Sequence, residues 1–352
     1  MNSVVLPAAP AGVADEAGAP RFGTYQGCVS TANLGQLSGR WQLGFPARVL
    51  QHKRWLYTFV ATPEVAAFFA VSDLSYTSNA FVLAVDLRDK KVLVDRGYLG
   101  LPGPLVKVSD EPAEGLAVSF VGPNGRLSAS RPAGDARYHH SVDLMRLLPY
   151  PKRELSWQGE LLAAGGAPAL TVISPVAGGG VVNLTQKWAG MLAFGKLEAA
   201  GRSYNLDGGV GGLDYTHGYL ARHTAWRWAF ACGRLADGTP LGLNLVEGFN
   251  EGDETANENA LWVGRELFPL PRVHFEFNKA DVLDEWKVTC SDGSIDLRFR
   301  PIGAHREERD LMLVKSHFVQ PVGTWKGSVT VGGRKVDFDQ VPGVTEDQDI
   351  LW

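Results

Sequence analysis

Asp214, Tyr215 and His217 stand together in the run Gly211-Gly-Leu-Asp-Tyr-Thr-His-Gly218. A carboxylate beside an imidazole can shuttle a proton, and a tyrosine hydroxyl can donate to a developing anion. Trp226-Arg-Trp228 and Glu247 follow within a short distance. No other stretch is so dense in titratable groups, large aromatics and glycine. A glycine-flanked loop is a common functional position, and the run reads as one. The plainer alternative is that Asp214 caps a turn while His217 fills a surface hole. A metal site is a weaker reading, because one His and one Asp make a poor ligand set and no HExxH occurs.

The elements that must carry these residues are strands. Ala225 to Gly233 is aromatic and apolar, and Asp237-Gly238 turns it into Pro240 to Glu247. A two-residue turn pairs Cys232 with Leu243, Phe230 with Leu245 and Trp228 with Glu247. Trp226 shares that face, since side chains alternate along a strand. Glu247 then becomes a carboxyl group among tryptophans. Such surroundings raise a carboxyl pKa and suit a general acid. Two alternatives stay open: the tryptophans are barrel core, and Glu247 reaches a solvated rim. The candidate catalytic residues are therefore Asp214, Tyr215, His217 and Glu247. Trp226, Trp228, Asn244, Asn259 and Trp262 are the candidate substrate-binding residues. The stretch from Glu254 to Asn259 reads as an acidic loop, with Asn257-Glu258-Asn259 able to reach a cavity. His139-His140 reads as a polar turn and His305 to Arg309 as a solvated face.

Turn chemistry sets the fold. Arg54 to Val60, Val65 to Val71 and Ala80 to Asp86 are β-branched or aromatic runs, hence strands. Asn124-Gly125 predicts a hairpin pairing Val121 with Ser128 and Phe120 with Ala129. Asp292-Gly293 pairs Val288 with Leu297 and Trp286 with Phe299. Gly332-Gly333 pairs Val329 with Val336 and Gly327 with Phe338. Ser141 to Leu148 is the one short helix candidate, ended by Pro149. The 41 glycines and 20 prolines favour turns over helices. The expected fold is all-β, with two antiparallel barrel-like halves packed together and few helices. The expected divisions are a disordered leader over 1–20, a barrel-like domain over 21–165 and a second over 166–352, which carries the site.

Composition narrows the class. The chain has 352 residues and a net charge of -4, so no basic surplus points to nucleic acid. The three cysteines are scattered, without a CxxC pair, which suits a reducing, cytoplasmic setting. No apolar run reaches the roughly 18 residues of a membrane helix. Gly208-Gly-Val-Gly-Gly212 is no dinucleotide fingerprint, and neither GxSxG nor a Walker sequence occurs. No cofactor is expected.

The run Gly212-Leu-Asp-Tyr-Thr-His-Gly218 resembles the family designated domain of unknown function 2804. Trp226-Arg-Trp228, Glu258-Asn-Ala-Leu-Trp262, Lys315-Ser-His317 and Gly343-Val-Thr-Glu-Asp-Gln-Asp349 resemble it too. The resemblance runs from about Gly39 onward. More distantly, the chain is similar to the carotenoid 1,2-hydratase and hydroxyattachment-protein-like group. Asp214, His217, Gly218, Trp226, Trp228, Leu235-Ala-Asp-Gly238, Trp325-Lys-Gly327 and Glu346 carry that likeness. It implies tandem lipocalin-like barrels and a pocket lined by Asp214, Tyr215, His217 and the tryptophans. It also implies protonation of an isoprenoid double bond followed by addition of water.

Three functions remain in play. The first is a cofactor-independent hydratase, cyclase or isomerase acting on a terpenoid or polyene-like molecule. Asp214 is then the acid, His217 its partner and Tyr215 a water-positioning group, with tryptophan faces stabilising a carbocation. The second is a lipid-binding barrel without chemistry. The third is a carbohydrate-active enzyme using Asp214 and Glu247. An acid buried against aromatics favours the first, and solvated carboxyls around an apolar cavity favour the second.

Overall fold

The computed structural model describes residues 5–147, 149–249, 255–311 and 314–352. Two antiparallel sheets account for the fold. The first holds β1 (Gly23–Gln26), β2 (His52–Ala61), β3 (Val65–Asp73), β4 (Ser78–Asp86), β5 (Lys91–Gly100), β6 (Val106–Val108), β7 (Leu116–Gly122), β8 (Gly125–Arg131), β9 (Arg137–Arg146), β10 (Lys152–Leu162), β11 (Leu170–Pro175), β12 (Val182–Ala199), β13 (Arg202–Asn205) and β14 (Gly209–Tyr219). The second holds β15 (His223–Arg234), β16 (Pro240–Glu247), β17 (Ala260–Val263), β18 (Glu266–Pro269), β19 (Val273–Glu276), β20 (Trp286–Cys290), β21 (Ile295–Leu311), β22 (Val314–Val331) and β23 (Arg334–Leu351). The main path of the first runs β5-β4-β3-β2-β14-β12-β10-β9-β8-β7-β6, and the second runs β18-β17-β16-β15-β23-β22-β21-β20-β19. Each curls into a barrel, bringing β6 back towards β2 and β3, and β19 towards β16. Among the described residues the one α-helix is Ala47–Gln51, and no helix is long and apolar enough to cross a membrane.

Three large apolar cores result, beside a small cluster of Leu74, Leu220, Ile350 and Trp352. Leu56, Phe69, Trp157, Leu161 and Leu213 fill the first barrel. Leu243, Trp286, Leu297, Phe299 and Trp325 fill the second. Tyr57, Phe68, Trp228, Phe230 and Trp262 form a third core between the barrels. Strands that serve two cores are apolar on both faces, which is why β2, β3 and β4 read as continuous apolar runs.

Several expectations need correction. The division between sheets falls between Tyr219 and His223, not near 165, and β10 and β11 both belong to the first sheet. The leader packs as well. Residues 1–4 lie outside the described residues, but Ala8 bridges Gln26 and Gly12 bridges Thr31, while Val13 is fully buried in the first core. The helix expected from Ser141 belongs instead to β9, where His140, Val142 and Leu144 alternate inward; Leu148 itself lies outside the described residues. His140 is no turn residue but sits buried against Trp157. His305 is buried too, stacked on Phe81 across the barrel interface.

Registers divide by loop type. The Asp292-Gly293 and Gly332-Gly333 hairpins pair as expected, Val288 with Leu297 and Val329 with Val336. In the β7–β8 hairpin Gly122 pairs with Gly125, so Pro123-Asn124 is the turn and Phe120 meets Leu127. The two-residue slip leaves every face unchanged. Between β15 and β16 the slip is one residue. Leu235 N–H bonds Thr239 O and Gly238 is left-handed, a three-residue loop with a bulge. Trp228 therefore pairs with Val246, and Glu247 with Arg227.

The barrels come into close contact at glycine. A Cβ at Gly242 on β16 would collide with Ala189 on β12, and one at Gly212 would lie 2.5 Å from Phe230. Gly242→Val should lower unfolding stability by about 1–3 kcal/mol through overpacking. Denaturant titration checks this, and an unchanged midpoint would show that the contact has slack.

Candidate active site

Strand β14 carries the residues singled out by sequence, but as a strand rather than a loop. All eleven of its residues are buried. Its glycines answer to close approach: a Cβ at Gly211 would lie 2.5 Å from Phe59 O, and one at Gly218 2.6 Å from Val182 O. Side chains alternate along a strand, so Asp214 and Thr216 share one face while Tyr215 and His217 share the other. Asp214 and Thr216 open into a cleft between the barrels. Tyr215 points into the first core. The expectation that Asp214 and His217 face one cavity therefore fails.

Inside the first barrel His217 Nε2 lies 2.6 Å from His52 Nε2. One ring donates and the other accepts, so at least one is neutral. Burial, then the neighbouring His52 and Arg54, holds the pKa of His217 well below its usual value. Burial, then Arg54, brings His52 down to about 4. The Tyr215 hydroxyl donates to Ser109 O at 2.8 Å and lies 3.1 Å from His217 Nδ1. The histidine pair fastens β2 to β14, Tyr215 ties β14 to the segment after β6, and none of the three lines the cleft.

The cleft encloses about 140 Å³, the scale of one benzene-sized ring. Its aromatic walls include Trp55, Tyr57, Trp226, Trp228 and Phe249. Trp55 and Trp226 are stacked with centroids 6.2 Å apart, one from each barrel. Five side chains that can carry a full charge line it: Lys187, Asp214, Glu258, Glu307 and Glu346; all but the half-buried Glu307 are buried. Lys187 Nζ lies 2.6 Å from Asp214 Oδ1 and 3.5 Å from Glu258 Oε2. Burial opposes the ammonium charge, but Asp214 and Glu258 outweigh it and raise the Lys187 pKa. Thr185 adds a hydrogen bond to Asp214 Oδ1 at 3.4 Å.

Glu346 is the carboxyl among tryptophans that the sequence suggested, supplied by β23 rather than β16. It pairs with Trp228 across β15. Trp226 Nε1 donates to Glu346 Oε1 at 2.7 Å, and Gln320 Nε2 to Oε2 at 2.5 Å. Burial raises its pKa to about 7, against the pull of those two donors and with a further push from Asp214. Glu247 lies elsewhere: it accepts from His274 Nδ1 at 2.7 Å and from the Phe275 N–H at 3.2 Å. The pair Asp214 and Glu247 is therefore not brought into one groove.

The other candidates divide. Trp226 and Trp228 line the cleft. Asn244 accepts from Trp228 Nε1 at 2.7 Å and donates to Glu258 O at 2.8 Å, so it positions the indole. Asn259 accepts from the Val246 N–H and donates to Pro271 O, and Trp262 Nε1 donates to Pro168 O; neither lines the cleft. Glu258 does, whereas Glu254 lies outside the described residues. Sequence reasoning missed Lys187 and Tyr57, which sit in strands with no distinguishing pattern. Glu346 was visible as a motif position but had no assigned role.

Two outcomes follow from these charges. Folded Glu346 keeps its proton to about pH 7, whereas the ordinary value is 4.5. Below the lower value both folded and unfolded chains are protonated and nothing is lost. As pH rises between the two values the unfolded chain releases its proton first, so stability falls. Above the upper value the full cost, on the order of 3 kcal/mol, is present. Glu346→Gln should therefore gain stability over the wild type on going from about pH 5 to about pH 8. Parallel curves in urea titrations at the two pH values would remove Glu346 from that account. Lys187→Met should lose about 3–5 kcal/mol in the same assay, because it strands two buried carboxylates.

The fold has relatives among solved structures. A crystal structure of kievitone hydratase from Nectria haematococca superposes with a TM-score of 0.51 at 14% identity, covering 94% of this chain and 98% of that one. A protein provisionally assigned as AttH from Nitrosomonas europaea gives 0.50 at 14% identity, covering 88% and 98%. At such identity the likeness concerns the fold alone. No curated protein sequence matches the chain. Residues 7–352 match the family described as Domain of unknown function (DUF2804), and the chain belongs to that family.

Proposed function

We propose that this chain is a hydratase-like enzyme for a lipophilic small molecule, with Glu346 as proton donor. One observation carries the reading: a buried carboxyl with its pKa raised to about 7, on an aromatic wall and close enough to Asp214 to feel its charge. A general acid works best with a pKa near the working pH. Glu346 gives its proton to one alkene carbon, and the π electron pair forms the new C–H bond. Positive charge is left on the neighbouring carbon, where the faces of Trp226 and Trp228 stabilise it. Water attacks that carbon and loses a proton to Asp214, leaving an alcohol. Asp214, paired with the Lys187 ammonium, suits the base role better than the acid role first expected of it. Attack by a second double bond of the same molecule would close a ring, and simple proton loss would isomerise the alkene. The fold shared with a structure named as a hydratase lends fold-level support only.

Incubation with a panel of terpenoid and prenylated alkenes in heavy-oxygen water tests the proposal, with mass spectrometry reading the product. The wild type should add one labelled water to at least one alkene. Glu346→Gln should lower that rate by about 10²–10⁴-fold while retaining the ligand. The wild-type rate should also fall as pH rises through about 7, where Glu346 loses its proton. Undiminished turnover by Glu346→Gln would end its acid role. Tight retention of the alkenes with no product would favour a carrier.

A further inference from the structure

We infer that the substrate carries a hydrogen-bond-accepting oxygen and that Tyr57 holds it. The inference rests on the reading of the cleft as a hydratase-like site, and it narrows the substrate from a pure hydrocarbon to an oxygenated lipophile, such as a ring-sized enone.

Tyr57 stands on β2 and lines the cleft. Its side chain is 3% exposed, yet its hydroxyl is fully buried and has no hydrogen-bond partner. A buried tyrosine hydroxyl normally finds one. Neighbouring rings leave little freedom to seek another. Phe68 stacks at 5.6 Å, Phe81 lies at 6.4 Å, and Trp228 meets the ring edge-on at 5.0 Å. The hydroxyl also stays a donor. Burial, with Glu346, Cys232 and Asp214 adding to it, raises its pKa well above the usual phenol value. Two of those groups are the acid and base of the proposed reaction, and Tyr57 lines the same cleft as both. A donor fixed there, within apolar walls, is matched by a carbonyl or similar neutral oxygen close to the alkene. A polyene offers it nothing.

Binding tests this without turnover. Isophorone, a trimethylated cyclohexenone, and the same ring lacking its oxygen are titrated by ligand-detected NMR. Wild type, Tyr57→Phe and Glu346→Gln are compared. Tyr57→Phe should weaken isophorone about three- to tenfold and leave the hydrocarbon unchanged. Equal effects on the two probes, or no effect on isophorone, would overturn the inference. Thermal unfolding without ligand gives a second reading. Because the wild-type hydroxyl has no partner to lose, Tyr57→Phe should melt at the same temperature or higher. A lower melting temperature would assign the hydroxyl a structural bond and overturn the inference as well. Glu346→Gln should keep the Tyr57-dependent preference for isophorone. Absence of product from every alkene would therefore defeat the hydratase reading while leaving this one standing on the titrations.

Discussion

Strand β14 is covered on both faces, and the rest of the site depends on that constraint. Glycine makes the double cover possible. Phe230 of the second barrel stands 2.5 Å from where a Cβ of Gly212 would be. With the second barrel seated there, the side-chain period of two sends alternate residues into different compartments. Asp214 and Thr216 reach the inter-barrel cleft, while Tyr215 joins the first core. One short run thus contributes a charged group to a candidate site and neutral hydrogen-bonding groups to a barrel interior.

The same burial acts on both compartments with opposite results. It favours neutral forms, so it lowers His217 and raises Glu346. Only where a partner of opposite sign is close does a charge persist. Lys187 has two such partners, Asp214 and Glu258, and it keeps its charge. Glu346 has the N–H groups of Trp226 and Gln320 and the like charge of Asp214 nearby, and it titrates near neutrality. The different roles proposed for two neighbouring carboxyls follow from this arrangement and not from their residue types.

What the sequence made legible follows the local chemistry of turns. Asp292-Gly293 and Gly332-Gly333 set their registers correctly because each closes a hairpin as its pattern predicts. The loop around Asp237-Gly238 contains the same dipeptide signal, but its extra residue moves the partner by one. A single slip exchanges faces, and so the carboxyl expected opposite Trp228 from β16 comes from β23 instead. That second partnership is long-range and leaves no mark near Trp228 in the chain. The glycines around Asp214 misled for a related reason. Glycine marks both loops and close backbone approach, and only the packing partners tell the two apart. Tyr57 and Lys187 were illegible because nothing in β2 or β12 says which apolar strand faces a second barrel.

The cleft belongs to neither barrel alone. The first supplies Lys187, Asp214 and Tyr57, and the second supplies Trp226, Trp228 and Glu346. Its geometry therefore depends on how the barrels are held together. His305 on β21 is one of the groups that hold them. It stacks on Phe81 at 4.7 Å and bonds Asp95 at 2.5 Å, both in the first barrel. Burial alone would lower its pKa, but the hydrogen bond to Asp95 and the Glu307 carboxylate 3.4 Å from Nε2 outweigh burial and hold it at about 9. A protonated His305 thus clamps the wall formed by Phe81 and Glu307, both of which line the cleft. Tandem barrels can share a fold and still differ in what the joint between them encloses. For this architecture the chemistry has to be argued from the residues at the joint, because the barrels themselves are filled with core.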